Sequence, residues 1–561
     1  MPEHTTPSAR TIITKLYSFV QPDMRDIWTI VLFSVVVGLL ALGVPIGSQM
    51  LFNYVAFGAI LQPLVVLAIV LLVVLTISGI MRSVISYVVE LLQRRLYVRI
   101  VTQLSERLPK VQPQAFDRTT GTDLVNRFFD IMTIQKVGAT VLLDGIAAVL
   151  QTVIGLTIVA FYDPFLAVFS LLLFAAILLI VFVVGSGAAR TSIAESTAKY
   201  ATAATLDSIV AERRVFKQAD GAGLAVRLVN ERIEDWLVMR RAHFRVFFRQ
   251  VVATFIVQTL AITALLTIGG YLVIIERLSL GQLVASELIV TLALTSLTKF
   301  AIKLDDIYDM YAGVYKVDGL LGLPLERQSG EEMAAEGPPV EISVRDLHFE
   351  YLPGRPIFDG LNLDIAANER VAMVFGGSAG KTTLANVLFG SRIPQHGTVM
   401  IDGIDFRELT LGTLRHRVAV AEDEEIIRGT VEENVNLGRP EADADTCRRA
   451  LERVGLLEEI RSLPEGLRTE LTPGGSVLSR GQRARLTIAR AIAGHPGLLI
   501  VDGLLDGLDP VSRDRVIAGL TDPDWPCTVL FLSVADWYSS RGVRVVDQST
   551  PSDGQPTEGS A

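Results

Sequence analysis

Long uncharged stretches alternate with polar ones along the chain, and the contrast is sharpest in its first half. From Ile27 to Met81 there are 55 consecutive residues without a charged side chain, and Pro164 to Ala189 and Val251 to Ile275 are likewise uncharged. A helix rising 1.5 Å per residue needs about 20 apolar residues to cross the ~30 Å hydrocarbon layer of a bilayer. On that measure the pattern predicts six membrane spans, at about 27–54, 61–89, 137–162, 164–188, 251–275 and 280–306. Buried helices of a water-soluble core do not need uncharged runs of this length. Two long polar connections separate the spans: residues 90–136 hold eight Lys/Arg and residues 190–249 hold eleven, whereas the short connections carry only Arg277. Basic loops face the cytoplasm, so both long connections, and with them both termini, are expected there. Residues 1–26 hold no cleavable signal. Ser8 to Asp26, with Ile12, Ile13, Leu16, Tyr17, Phe19 and Val20, reads as an amphipathic elbow lying on the membrane surface.

The long connections favour helix and contain few breakers, so they are expected to extend the spans well below the bilayer. Leu206 to Ala211 is placed at the turn between spans four and five, and Gly121 to Gln135 at the matching turn between spans two and three. The membrane part thus occupies 27–325. Residues 326–339, with the polar Pro/Gly run Gln328 to Pro339, read as a linker. Residues 340–548 form one soluble α/β domain, and the Ser/Pro/Gly-rich 549–561 is expected to be a disordered tail. There is no internal repeat.

Composition agrees with this division. Half of the residues are apolar and the mean hydropathy is +0.43. The net charge of −9 gives no sign of a nucleic-acid partner. Cys447 and Cys527 stand at no metal-like spacing and suit a reducing cytosol.

The chemistry lies in the soluble part. Between an apolar strand beginning at Val371 and a helix ending near Gly390, the chain reads Phe375-Gly376-Gly377-Ser378-Ala379-Gly380-Lys381-Thr382-Thr383. Glycines let backbone N–H groups turn inward around a phosphate, a lysine reaches the β/γ-phosphates, and a hydroxyl serves Mg²⁺. The helix N-terminus at Thr383 adds its dipole. Phe375 and Ser378 occupy places where glycine is usual, and Gly376 and Gly377 offer the turn one residue later. Further on come Leu478-Ser479-Arg480-Gly481-Gln482 and the apolar run Leu498, Leu499, Ile500, Val501 closed by Asp502.

Phosphate loop, signature-like segment and acid-terminated strand, in this order and behind six spans, resemble a half-transporter of the ATP-binding cassette family, type IV exporter class. The resemblance covers nearly the whole chain. It implies a polytopic α-helical membrane domain with long cytoplasmic helical extensions, followed by a P-loop cassette domain with a helical subdomain. It also implies ATP and Mg²⁺ as cofactors and makes the two cytoplasmic turns coupling helices. Tyr351 is then the aromatic that stacks on adenine. Gly376 to Thr383 hold the phosphates, and Thr382, Asp502 and Glu422 serve Mg²⁺, with Glu422 standing where the family has a glutamine. Leu478 to Gln482 form the signature motif, with Arg480 replacing a glycine, and Asp506-Gly507-Leu508-Asp509 form the D-loop.

Two departures bear on activity. Gly503, directly after Asp502, stands where the family carries its catalytic glutamate, and Val534 stands where it carries the switch histidine. No catalytic residue is therefore intact. A positioned general base contributes about 10²- to 10⁴-fold in rate, and glycine supplies none of it. Asp506 is the one nearby carboxylate able to replace it. In this family two cassettes close face to face, each ATP lying between one Walker site and the other's signature. The resemblance therefore implies a second half-transporter with complete motifs as partner, in a bacterial cytoplasmic membrane. An ATP-gated homodimer with very slow turnover, or a nucleotide-binding membrane regulator that moves nothing, stays open as an alternative. The transported substrate is not fixed. No peptidase-like segment precedes the spans, which disfavours a leader-cleaving peptide exporter. Charges within or beside the spans are Arg82, Asp144, Glu287, Lys299, Lys303, Asp305 and Asp306. They are expected to snorkel or to pair one turn apart on their own helix, with a substrate cavity as the alternative.

Overall fold

A computed structural model of the chain describes residues 9–56, 61–117, 127–334, 337–376, 380–473, 477–538 and 542–548. The expected tail at 549–561 and the first part of the expected turn, residues 121–126, lie outside them. The chain divides into two units, Met1–Pro324 and Leu325–Ala561.

The first unit is helical. Among the described residues, six helical stretches are long and apolar enough to cross a membrane: Thr14–Tyr54, Gln62–Lys110, Arg127–Tyr162, Pro164–Val184, Gly221–Ile274 and Leu280–Ile302. The fold class read from the sequence is therefore the one observed. Two helices far exceed a bilayer's need. Leu61–Arg107 has 47 residues and Gly221–Ile274 has 54, about 70 Å and 80 Å at 1.5 Å per residue. The segment expected to be an elbow forms the Ala9–Val20 helix. It packs on the Leu304–Leu321 helix, where Lys15 pairs with Asp318, and Arg99 ties the chain back by donating to the Phe19 carbonyl at 3.0 Å and pairing with Asp23.

The turn between spans four and five falls later than the sequence placed it. The Ala188–Ala211 helix runs straight through Leu206–Ala211, and the reversal is made by Arg213–Phe216 and Asp220, whose φ is 61°. Residues 206–211 contain no helix breaker, so nothing local stops them; the breakers begin at Asp220-Gly221. The sixth span also ends early. The helix stops at Ile302, Lys303 steps out of helical geometry, and Leu304–Leu321 continues as a separate helix.

The second unit begins before the expected linker. Arg415 grips the Glu326 carboxylate with two bonds of 2.6 and 2.7 Å, Arg327 donates to the Arg407 carbonyl at 2.7 Å, and the Glu331 N–H donates to the Glu408 carbonyl at 2.6 Å. Residues 326–331 are thus docked on the cassette, because polar composition marks a segment as solvated without saying whether its backbone finds a partner.

An antiparallel sheet runs in the order β2-β1-β4-β5, formed by β1 (Ile342–Leu352), β2 (Arg355–Ile365), β4 (His396–Ile401) and β5 (Ile404–Asp405). A parallel sheet runs β11-β3-β10-β9-β6, from β3 (Arg370–Val374), β6 (Val418–Ala421), β9 (Leu498–Asp502), β10 (Thr528–Ser533) and β11 (Arg544–Asp547), and the short β7 (Gly429–Thr430) and β8 (Glu470–Leu471) pair with each other. The strands β9 and β10 are central and buried along their whole length, which is why both read as continuous apolar runs rather than alternating ones. Short helices Val431–Asn436 and Ala444–Arg453 pack against Arg480–Ile492, and Leu457–Arg461 packs on Ala444–Arg453, to form a helical subdomain.

Candidate nucleotide site

The site is assembled at the carboxyl ends of the parallel strands, where β3, β6, β9 and β10 all terminate. The strand β3 delivers Phe375. Its ring is buried and its N–H donates to the Ser533 carbonyl at 3.0 Å. A phenylalanine at the first-glycine position is thus absorbed into the core. Gly376 is exposed, and Gly377, Ser378 and Ala379 lie outside the described residues. Gly380 has φ of 104°, and a Cβ there would stand 3.1–3.2 Å from the rings of Phe358 and Phe375. Only glycine meets both conditions.

Gly380 precedes the Lys381–Leu388 helix. Lys381 is buried, the Thr382 hydroxyl donates to Asp502 Oδ2 at 2.5 Å, and Thr383 Oγ1 donates to the Tyr351 hydroxyl at 3.3 Å. The Tyr351 ring is half exposed, braced edge-on by Phe349 at 4.9 Å with the Arg392 guanidinium 5.4 Å from its centroid. An exposed aromatic face beside the phosphate-loop helix suits a planar base.

The three oxygen donors expected to serve a metal are the Thr382 hydroxyl and the carboxyls of Asp502 and Glu422. Burial raises the Asp502 carboxyl above its ordinary range, against the Thr382 bond that lowers it. Burial also pushes Glu422 up to about 7, reinforced by the negative charges of Asp502, Asp423 and Glu425. Crowded, partly desolvated carboxyls with a hydroxyl fit a hard divalent cation such as Mg²⁺.

The Glu422 shift has a stability consequence of definite sign. Its folded value lies above the unfolded one, so the folded cassette holds the extra proton between about pH 4.5 and 7, and stability falls as pH rises through that window. Without nucleotide or metal, the thermal midpoint is expected to drop between about pH 5 and pH 7.5. Glu422→Gln flattens that drop. An equal drop in both proteins would show that Glu422 is not the group responsible.

Gly503 follows β9 with φ of 63°, and a Cβ built on it meets nothing within 4 Å. The space for a side chain is open, while the backbone is in the left-handed region that glycine favours. Asp506 does not fill the gap. Its carboxylate accepts from Ser533 Oγ at 2.5 Å, from the Val534 N–H at 3.3 Å and from Trp537 Nε1 at 3.2 Å. The donors are the last residue of β10 and two residues of the loop after it, so the candidate substitute base is spent on holding that loop to the strand. Val534 is half exposed at the strand's end.

In the signature segment, Ser479 caps the Arg480–Ile492 helix in a reciprocal box. Its Oγ accepts from the Gln482 N–H at 3.3 Å, and Gln482 Oε1 accepts from the Ser479 N–H at 2.7 Å. Arg480 pairs with Glu424, which also receives Arg483 at 3.0 Å. The arginine in the glycine's place thus has an ionic partner on its own cassette. Leu478 is buried, and a Cβ on Gly481 would lie 3.3 Å from Leu508, so signature and D-loop touch. Gly507 and Asp509 complete the D-loop, Asp509 accepting from the Ser512 N–H at 3.0 Å as the cap of the next helix.

The structure therefore places Lys381, Thr382, Asp502 and Glu422 together beside the strand ends, with Tyr351 hydrogen-bonded to Thr383 and with Gly503 and Val534 directly after β9 and β10. Sequence reading missed the Asp506 tether and the Glu424 clasp. The acidic run Glu422-Asp423-Glu424-Glu425 was a signal for the second; nothing local signalled the first.

A phosphate-loop helix, an acid-ended central strand and a signature helix define a P-loop nucleotide-binding cassette joined to a helical membrane unit. Residues 27–297 match the ABC transporter transmembrane region and residues 358–504 match the ABC transporter family. The chain is an ABC transporter protein in which a transmembrane region is fused to a cassette. It is similar to the uncharacterized ABC transporter ATP-binding protein YfiC of Bacillus subtilis, at 30% identity over 48% of this chain and 46% of that one. It is also similar to the ATP-dependent lipid A-core flippase of Ralstonia nicotianae, at 36% identity over 36% of this chain and 35% of that one. The matched stretches thus span less than half of either relative. A bacterial Atm1-family ABC exporter solved with ATP bound shares the fold, with a TM-score of 0.77, 18% identity and 91% of each chain covered.

Proposed function

We propose that the chain is the hydrolysis-deficient half of a heterodimeric ATP-driven exporter in a bacterial cytoplasmic membrane. It binds ATP at its own phosphate loop and lends its signature segment to a partner cassette with complete motifs. The observation that carries this reading is the asymmetry of the site: the groups that would hold nucleotide converge, while the groups that would prime water are missing. Lys381 and the phosphate-loop N–H groups would hold the phosphates, Tyr351 the base, and Thr382, Asp502 and Glu422 the metal. A bound Mg²⁺ would neutralise phosphate charge there. Gly503 offers no base, Val534 offers no hydrogen bond to a γ-phosphate, and Asp506 is engaged elsewhere. Ser479 and Gly481 are kept, so the half-site offered to a partner is in better order than the chain's own.

Co-expression tests this. Purified alone, the full-length chain is expected to bind ATP with negligible turnover. With a second half-transporter carrying glutamate and histidine, the two copurify as a defined pair and ATPase appears. Brisk hydrolysis by the homogeneous chain sinks the proposal.

A further inference from the structure

Arg480 stands between Ser479 and Gly481, the pair that the proposed assembly turns toward the partner's nucleotide. Its side chain is 76% exposed, and a guanidinium keeps its charge at any physiological pH. Among the described residues one anion holds it, the Glu424 carboxylate. That carboxylate is shared. Arg483 donates to its second oxygen at 3.0 Å, and there both members are largely covered, at 23% and 18% exposure. The two arginines therefore differ in kind. Arg483 is the inner one and keeps Glu424 neutralised, so Arg480, the outer one, can leave without stranding a buried carboxylate. An ion pair with so exposed a member contributes little, because water screens it and two long side chains must be held still. Phosphate oxygens offer a guanidinium short, charge-assisted bonds, two at a time. The clasp is strong enough to park Arg480 and weak enough to yield it to a phosphate. The parking place is also informative. A Cβ on Gly507 would lie 4.0 Å from Arg480 Cζ, and one on Gly481 would lie 3.3 Å from Leu508. Ser479, Arg480 and Gly507 are all exposed, so the guanidinium lies on open surface where signature and D-loop meet.

We propose that Arg480 is an arginine finger for the partner's active site: when the cassettes close, it leaves Glu424 and binds the γ-phosphoryl oxygens of the ATP held by the partner. The proposal rests on the reading of this chain as the half that lends its signature to a competent cassette, and it adds a catalytic residue to that loan. In the hydrolytic step a water oxygen bonds to the γ-phosphorus. The bond to the β–γ bridging oxygen breaks, its electron pair leaves on ADP, and the water's proton passes to the partner's glutamate. Arg480 exchanges no proton. Its positive charge meets the γ-phosphoryl oxygens as transfer proceeds, which a glycine at this position cannot do.

Mixed dimers of two differently tagged full-length copies, reconstituted in proteoliposomes, test this. The hydrolysing copy carries Gly503→Glu, Val534→His and Arg480→Gly. The other copy keeps Gly503 and Val534 and is the sole source of the arginine. Arg480→Gly in that second copy is expected to lower kcat about tenfold or more, with KM for ATP moved less than kcat. Arg480→Lys there should recover only part of the rate. Labelling of arginines with phenylglyoxal, read by mass spectrometry, gives a measure independent of turnover. On the wild-type chain, ATP should slow labelling of Arg480 severalfold relative to ADP and leave that of exposed Arg448 as it was. Glu424→Gln should speed labelling of Arg480 in the absence of nucleotide. Equal labelling of Arg480 with ATP and ADP, or a kcat that Arg480→Gly does not lower, overturns the proposal. Protection of Arg480 by ATP in mixed dimers that hydrolyse nothing supports it, and sinks instead the reading of residues 503 and 534 as the missing groups.

Discussion

In proteoliposomes containing only this chain, phosphate release from ATP is expected to run at least about 10²-fold below that of the Gly503→Glu/Val534→His double variant. Ser479 and Gly481 are present, so on the proposed reading two copies at high density would supply the facing half of each site. On the proposed reading, what they lack is a group to orient and deprotonate water, a function contributing about 10²- to 10⁴-fold. The single variant Gly503→Glu recovers less. Residue 503 sits at φ of 63°, and a non-glycine residue in left-handed geometry costs roughly 1–2 kcal/mol. Some of the restored base is therefore held out of place, and Val534 still leaves the γ-phosphate without its hydrogen bond. The order expected is wild type slowest, single variant intermediate, double variant fastest. A wild-type rate equal to the double variant's would show that another group already activates the water.

The second large effect concerns the signature helix. Arg485 is buried, donates to the Gly455 carbonyl at 2.9 Å, and grips both oxygens of Glu459 at 2.7 and 2.9 Å. Glu459 also accepts from Gln482 at 2.8 Å, so this one carboxylate anchors the helix that presents Ser479 and Gly481. Arg485→Ala leaves the Gly455 carbonyl without its donor and the Glu459 carboxylate with Gln482 alone, at a cost of about 3 kcal/mol. The cassette's thermal midpoint should fall by about 6–12 °C. Arg485→Lys keeps a charge but loses the bidentate grip and recovers only part of the loss. A midpoint unchanged in Arg485→Ala would mean that apolar packing alone holds the helix.

Much of this protein could be read without coordinates because its strongest signals are local. Uncharged runs such as Ile27–Met81 must be helices in lipid, where every backbone polar group needs a partner within its own segment. The acid-ended run Leu498–Asp502, apolar at four consecutive positions, reads as a strand buried on both faces. The phosphate loop is legible because phosphate binding demands particular residues at adjacent positions. Turns in polar helices were less legible: Leu206–Ala211 and the reversal after Ala211 differ in composition only by where the first breaker falls. That the expected linker is docked at 326–331 was not legible, because its partners, Arg415 and the Phe406–Glu408 carbonyls, lie some eighty residues away.

The amino-acid order by itself determined that six apolar helices precede a nucleotide-type cassette, and that residues 503 and 534 lack side chains able to handle water. Those statements depend on residue identity and near-neighbour spacing, which covalent order fixes. Only the folded chain decided that Phe375 is accommodated in the core, that Asp506 is tied to Ser533, Val534 and Trp537, and that Arg480 and Arg483 share Glu424. Each of these depends on which distant groups compete for a ring, a carboxylate or a charge, and that competition is settled by packing between elements far apart in the chain.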